Sequence, residues 1–280
     1  MIVYNNQVFS EDPLHKFHLE DFHKNDDVII HLGYNPSNLI KKNQNEKHIL
    51  IELEQPNRFL HPVTHDSTFI CEKFFNKILT INPEFVKNRN EKLGFELYTY
   101  VFFPYSLRYV STDRFKTNDV IYTGNRDYYN ICNKINNRSV IWVGQGGNIR
   151  NISYLEKINY TKNSKISISH NIVEFRDLIP FMDTQKDTVS HIDGIFGQHK
   201  ARTIEAAFNK SIIVHINTGQ KLIEDFFKEG EDFLYYREGL IDDILNNYDS
   251  YKFLSENAFN KSMNNYTTEH FYNRYIKPLL

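Results

Sequence analysis

Two successive series of short apolar runs alternating with amphipathic stretches constrain this chain more than any single residue does. A run of four to six apolar residues between polar punctuation reads as a strand buried on both faces, and the amphipathic stretch beside it as a crossover helix. In the first half such strands are expected at Ile2–Tyr4, Asp27–Gly33, His48–Leu53, Lys77–Ile81 and Glu96–Val101. The clearest helical pattern between them is Ser67–Phe75, with Phe69, Ile70, Phe74 and Phe75 on or near one face. Phe103–Asn118 keeps no period and reads as a crossover between domains.

The second series begins with a strand at Asp119–Tyr122 and a helix at Asp127–Ile135. A strand at Ser139–Val143, a helix near Ser153–Tyr160 and a strand at Lys165–Ser169 follow. Beyond them come a helix at His199–Phe208, a strand at Ser211–His215, a helix at Gln220–Phe227 and a strand at Asp232–Tyr235. Helical patterns fill most of the rest from Leu240. Such a pattern predicts an α/β protein of two Rossmann-like domains facing each other across a cleft. Ligands of open α/β sheets sit beyond the carboxyl ends of the strands, so the loops after each strand are the ones to inspect.

Charge and cysteine content narrow the function classes. The 33 Lys and Arg nearly cancel the 35 Asp and Glu, which disfavours nucleic acid as an obligate partner while leaving room for a local basic patch. Cys71 and Cys132 lie far apart without metal-ligand spacing and read as ordinary buried thiols. The N-terminus carries no signal-peptide pattern, and no stretch approaches a membrane span, so a cytoplasmic protein is expected. A Rossmann-like oxidoreductase or epimerase would need a glycine-rich turn after the first strand, and residues 1–10 contain no glycine.

The densest chemistry lies in Gly197-Gln-His-Lys-Ala-Arg-Thr-Ile-Glu-Ala-Ala-Phe-Asn-Lys-Ser-Ile-Ile-Val. A polar loop with His199 opens a helix that starts on Lys200 and Arg202. Unpaired N–H groups and the helix dipole favour an anion there, and Arg can bind two of its oxygens at once. Glu205, a turn further in, could accept hydrogen bonds from a ribose diol. The same residues could instead be solvated charges, with Glu205 an i,i+3 partner of Arg202.

The run Lys200-x-Arg-x-x-Glu-Ala-Ala-x-x-x-Ser-Ile-Ile-Val resembles the nucleotide-sugar segment of GT-B glycosyltransferases, notably the group 1 and CgeB-like families. Gly219–Tyr236 is similar to the passage that follows it there, a loop, a short helix and F-x-x-G-x-D before a strand. The resemblance covers roughly residues 118–280. It implies an N-terminal acceptor-side domain over 1–115, a nucleotide-sugar-binding domain over 116–262, and a closing helical segment, 263–280, that packs back on the first domain. It also implies transfer of a hexose from a UDP- or GDP-sugar to a glycan or other hydroxyl acceptor. No cofactor or metal is implied, because side chains and helix dipoles neutralise the leaving diphosphate.

Two departures leave the sugar and the stereochemical course open. Gly197 stands where group 1 enzymes often carry a second Glu, and Ile131 where the family tends to place a Lys after Gly124-Asn-Arg126. Further donor contacts are expected from Gly124 and Arg126, from Gln145 and Gly146 in a glycine-rich turn, from His170 and Asn171, and from Thr218. Asn171 reads equally well as a helix cap.

On the acceptor side an inverting enzyme needs a general base. Three loops offer one: Gly33-Tyr-Asn-Pro-Ser, Glu54-Gln-Pro-Asn-Arg58 with the residues beyond it, and Phe103-Pro-Tyr105. The second is richest, and Glu52-Leu-Glu-Gln-Pro-Asn-Arg-Phe59 resembles an E-x-P-x-R-F stretch of some viral and bacterial GT-B proteins. Glu54, His65 and Asp66 are the candidates for the base. Most of the twelve histidines must be structural or exposed, and no pair has zincin spacing. Two other readings stay open: a DNA-base transferase, which would need a basic groove and base flipping, and a non-catalytic nucleotide- or sugar-binding protein of the same fold.

Overall fold

The computed structural model describes residues 1–4, 17–25, 27–33, 46–53, 70–110, 115–124, 132, 135, 140–144, 146–171, 197–217 and 219–280, with the side chains of 4, 70 and 71 left aside. Its described residues divide into two compact units. Unit 1 holds Met1–Phe103, the described end of Ile172–His199, and Thr268–Leu280. Unit 2 holds Pro104–Asn171 and Lys200–Thr267.

Unit 1 carries a five-stranded parallel sheet whose spatial order follows the chain: β1 (Ile2–Tyr4), β2 (Val28–Leu32), β3 (Lys47–Glu52), β4 (Lys77–Thr80) and β5 (Tyr98–Tyr100). All of β2 and all but the first residue of β3 are buried, as expected for parallel strands covered on both faces. Beside the sheet lie α1 (Ile70–Phe74) and α2 (Pro83–Leu93). The periodicity does not single out α2, because only Phe85 on it is fully buried. Its ends set it instead. Pro83 at the first turn needs no N–H partner there, and Gly94 closes the helix at φ 74°, a conformation that suits glycine.

The last residues belong to this unit. Around α7 (Thr268–Phe271), Phe271 meets Phe102 edge-on at 5.5 Å, and Arg274 lies 5.3 Å from the Phe102 ring. Lys47 Nζ donates to the Leu279 carbonyl at 3.1 Å.

Unit 2 repeats the architecture with a different order, β10-β9-β8-β6-β7, again all parallel. Its strands are β6 (Asn118–Thr123), β7 (Val140–Val143), β8 (Ser164–Ser169), β9 (Ile212–His215) and β10 (Phe233–Tyr235). Its helices are α3 (Tyr154–Asn163), α4 (Ala201–Phe208), α5 (Leu240–Asn246) and α6 (Tyr248–Asn265). Ser153 and Glu156 form a reciprocal capping box at the start of α3, the S-x-x-E signature of a helix N-terminus. Val120, Tyr122, Ile166, Ile168, Ile212 and Val214 alternate onto one face of the sheet and pack with Ile241, Ile244 and Leu254.

One expected helix is corrected. Gln220–Phe227 forms only a 3-10 turn at Leu222–Asp225. The apolar spacing of Leu222, Ile223, Phe226 and Phe227 mimics a helix, but the segment is too short to offset helix nucleation. Phe226 and Phe227 are held by tertiary packing on Tyr266. No helix among the described residues is long and apolar enough to cross a membrane.

Candidate functional site

The strand order of unit 2 creates the site. The chain runs from β6 outward to β7 and then returns past β6 to β8, so the direction of winding reverses between β6 and β8. A reversal of this kind opens a crevice beyond the carboxyl ends of the two strands, where open α/β sheets bind their ligands. Gly124 follows β6 there, and His170 and Asn171 follow β8. The N-terminus of α4, with Lys200 as its N-cap and Arg202 in its first turn, belongs to the same cluster.

Arg202 is the centre of that cluster. Its Nη1 donates to His170 Nε2 at 3.2 Å, and its guanidinium carbon lies 5.6 Å from the centre of the Tyr122 ring. Tyr122 Oη stands 3.0 Å from the same His170 nitrogen. Because a guanidinium can only donate, His170 Nε2 is an acceptor and the ring is neutral with its proton on Nδ1. Electrostatics agree. Burial first, then the charges of Arg202 and Lys200, hold the His170 pKa well below the ordinary histidine range. The positive charge of the site therefore resides on Arg202 and Lys200.

Gly124 leaves room for that approach. A Cβ at this position would stand 2.8 Å from Arg202 Nη1 and 3.1 Å from Tyr122 Oη, so the guanidinium would have to shift to make room for it. Trp142 fixes the other side of the turn, its Nε1 donating to the Gly124 carbonyl at 2.6 Å. Gly147 in turn permits Trp142, since a Cβ there would fall 2.1 Å from the Trp142 carbonyl oxygen. Gly147→Ala is therefore expected to displace the backbone around Trp142 and to lower stability by about 1–3 kcal/mol, the usual range for forced overpacking. Chemical denaturation followed by the fluorescence of Trp142 would check this, and an unchanged midpoint would contradict it.

Asn171 is 1% exposed, and neither Oδ1 nor Nδ2 has a hydrogen-bond partner among the described residues. A buried amide without partners costs about 1–3 kcal/mol. Such a group is suited to a ligand that supplies both a donor and an acceptor.

The remaining expected contacts divide. Gly146 is exposed in the turn after β7. His199 is fully buried and counts with unit 1, its N–H donating to the Ile81 carbonyl at 3.2 Å. Burial lowers its pKa to about 3, so the ring is neutral. Glu205 is not the partner of Arg202. Its carboxylate is 1% exposed and is gripped by Lys157 of α3, with Nζ 2.8 Å from Oε1 and 2.7 Å from Oε2. Burial, and then the Glu205 carboxylate, push the pKa of the Tyr154 phenol well up, so it stays protonated and faces Glu205 as a donor. Tyr105, expected on an acceptor-side loop, is instead buried in unit 2, stacked on Phe208 at 4.5 Å with its Oη accepting from Asn209 Nδ2 at 3.0 Å. Arg126, Gln145 and Thr218 lie outside the described residues, as do Glu54, His65 and Asp66.

Sequence reasoning passed over Tyr122, Trp142 and Lys157. Tyr122 and Trp142 read as strand core, and nothing local ties Lys157 to Glu205, 48 residues away.

No family model and no curated protein sequence matches the chain. Solved structures do. A variant of TarM from S. aureus, in complex with fondaparinux, α-GlcNAc-glycerol and UDP, aligns with a TM-score of 0.52 at 11% identity, covering 93% of this chain and 57% of that one. Anabaena HepE in complex with UDP and glucose aligns at 0.54 and 8% identity, covering 90% and 77%. The pneumococcal O-GlcNAc transferase GtfA in complex with UDP and GlcNAc aligns at 0.50 and 8%, covering 93% and 58%. The chain thus spans a little over half the length of TarM and GtfA. Two parallel five-stranded sheets, aligned in structure with these proteins over nine-tenths of the chain, make this an α/β protein of the GT-B fold, built from two Rossmann-like units.

Proposed function

We propose that the chain is a glycosyltransferase that moves a sugar, a hexose by our reading, from a UDP- or GDP-sugar to a hydroxyl acceptor. The observation that carries the reading is Arg202, a cation at a helix N-terminus, held over the switch point of unit 2 by Gly124, Tyr122 and His170. A diphosphate fits that chemistry, because the α4 N–H groups, Lys200 and Arg202 all favour negative charge at one place. The complexes of TarM, HepE and GtfA with UDP support it as structures of the same fold.

In the transfer, the bond from the anomeric carbon to the diphosphate oxygen breaks as a bond to the acceptor oxygen forms. Lys200 and Arg202 stabilise the charge that develops on the leaving diphosphate without calling on a metal. Asn171 with its open amide is assigned to the base or the sugar of the donor, and Gly146 and the undescribed Arg126, Gln145 and Thr218 to further donor contacts. His199 and Glu205 would act from behind these contacts unless the donor reorders them. If the enzyme is inverting, the acceptor proton passes to Glu54, His65 or Asp66. A glycan or small-molecule acceptor is favoured over DNA because the chain is close to neutral.

Thermal unfolding against UDP, GDP, CMP and ADP tests the donor. A nucleotide that binds only the folded chain raises Tm with the logarithm of its excess over Kd, about 2.7 kcal/mol of stabilisation at a hundredfold excess. We expect a shift with UDP or GDP and none with CMP. No shift with any nucleotide would overturn the proposal, and binding without turnover over a panel of acceptors would point to a non-catalytic protein.

A further inference from the structure

Arg202 and Tyr122 meet on a single acceptor. Tyr122 Oη lies 3.0 Å from His170 Nε2, and Arg202 Nη1 lies 3.2 Å from the same nitrogen. A neutral imidazole has one protonated nitrogen and one bare one, and the bare nitrogen has one lone pair in the ring plane. Both groups therefore donate to one lone pair. Any other hydrogen bond of the ring belongs to its Nδ1–H. Gly124, lacking a Cβ, leaves the space in which the two donors come together.

The two donors differ in mobility. Tyr122 is 1% exposed, packed in the core of unit 2 on a strand paired with β7 at Trp142 and with β8 at Ile168. Arg202 is partly buried, and its guanidinium ends a long flexible side chain from the first turn of α4. For a guanidinium, a charged phosphate oxygen makes a hydrogen bond roughly twice as strong as a neutral acceptor does. A diphosphate bound at the start of α4 therefore draws Arg202 away from His170. Burial is the main cause of the neutral ring and outlasts that move, so Nε2 stays a bare acceptor. A buried acceptor without a donor is unfavourable, and Tyr122 Oη already stands at hydrogen-bond distance to serve it.

We propose that Tyr122 is a positioning residue of the donor site, whose hydroxyl takes sole possession of His170 Nε2 when Arg202 turns to the diphosphate. This rests on the donor reading given above. In the ligand-free chain Arg202 is parked on His170. Its release is easy because Tyr122 keeps the imidazole satisfied. Tyr122 acts through His170 and Arg202 and touches no reacting atom. A nucleoside without phosphates offers nothing to draw Arg202 off, so the exchange ties the readiness of the site to the charged part of the donor.

The test is a cycle of four proteins: the full chain, Tyr122→Phe, His170→Phe and the double variant. Each is titrated calorimetrically with UDP, or with GDP if that is the nucleotide that binds. Tyr122→Phe removes one oxygen and keeps the ring in the core. We expect it to weaken nucleotide binding about tenfold, because the bound state then strands the imidazole nitrogen. In the His170→Phe background that acceptor is gone, and the further change at Tyr122 is expected to weaken binding less than about twofold. A role in stability alone would lower Tm and leave the affinity as it is. Wild-type affinity in Tyr122→Phe, or the same loss with and without His170, would overturn the proposal while the donor reading stands. Absence of nucleotide binding by the unaltered chain would overturn the donor reading, and the proposal with it. Should His170→Phe fail to fold, nitrogen NMR of the His170 ring replaces the cycle. Nε2 is expected to remain hydrogen-bonded when nucleotide is added to the unaltered chain and to lose its bond in Tyr122→Phe, and a bond kept in both would overturn the proposal.

Discussion

Arg202→Ala is expected to weaken UDP binding by ten- to a hundredfold, the largest loss from any single side chain in the crevice. A hydrogen bond to a charged group contributes about 1.5–3 kcal/mol, about ten- to a hundredfold in affinity, and a guanidinium can direct it to two oxygens of one phosphate. The fold should survive the change, since Arg202 is only partly buried and, among the described residues, its side-chain hydrogen bond goes to neutral His170. Arg202→Lys should recover only part of the affinity, because a point charge cannot reproduce the two-pronged contact. Gly124→Ala offers an independent check. It leaves the arginine in the chain but places a methyl group 2.8 Å from where Nη1 sits. Titration of both variants with UDP measures the effect. Wild-type affinity in Arg202→Ala would remove the centre of the donor reading, whatever the fold.

Lys157→Ala is expected to be the most destabilising single change in unit 2, by about 3–5 kcal/mol, because it strands a carboxylate in a buried site. Glu205 is 1% exposed, with the protonated Tyr154 phenol the other donor facing it. A domain of this size loses roughly 3 °C per kcal/mol, so Tm should fall by about ten degrees. Lys157→Met combined with Glu205→Leu should restore most of the loss, since apolar replacements of a buried pair are often neutral or stabilising. Differential scanning calorimetry separates these outcomes, and an unchanged Tm in Lys157→Ala would show that the pair is solvated. The pair of variants also decides what Glu205 does. If it only anchors α3 to α4, the double variant keeps its affinity for UDP, and if it bonds the ribose, that affinity falls while Tm recovers.

How far the sequence could be read follows from the range of the forces involved. Val28–Leu32 and Ile166–Ile168 announce strands because short runs dominated by β-branched residues fit a pleated, buried surface better than a helix. The helix at Ala201–Phe208 is visible for a similar reason, being buried continuously from Thr203 to Phe208. By contrast α2 has one fully buried side chain and depends on Pro83 and Gly94 at its ends, so periodicity passes it by. The 3-10 turn at Leu222–Asp225 errs the other way, its apolar spacing arising from contact with Tyr266 rather than from a helix.

The site divides along the same line. Lys200, Arg202 and Glu205 sit within six residues at the start of one helix, so local reasoning groups them as a possible anion site. Tertiary structure then parts them, turning Arg202 toward His170 and Glu205 toward Lys157, because successive turns of α4 meet different neighbours. Sequence alone determined that the chain is α/β, in two series, with cations at the start of one buried helix. Only the tertiary structure decided that β6 lies between β7 and β8. Parallel strands offer the same hydrogen-bonding edges in any order, and the order is chosen by how the crossover helices pack. That choice brings Tyr122, Gly124 and His170 to Arg202, across separations of up to 80 residues that no local pattern records.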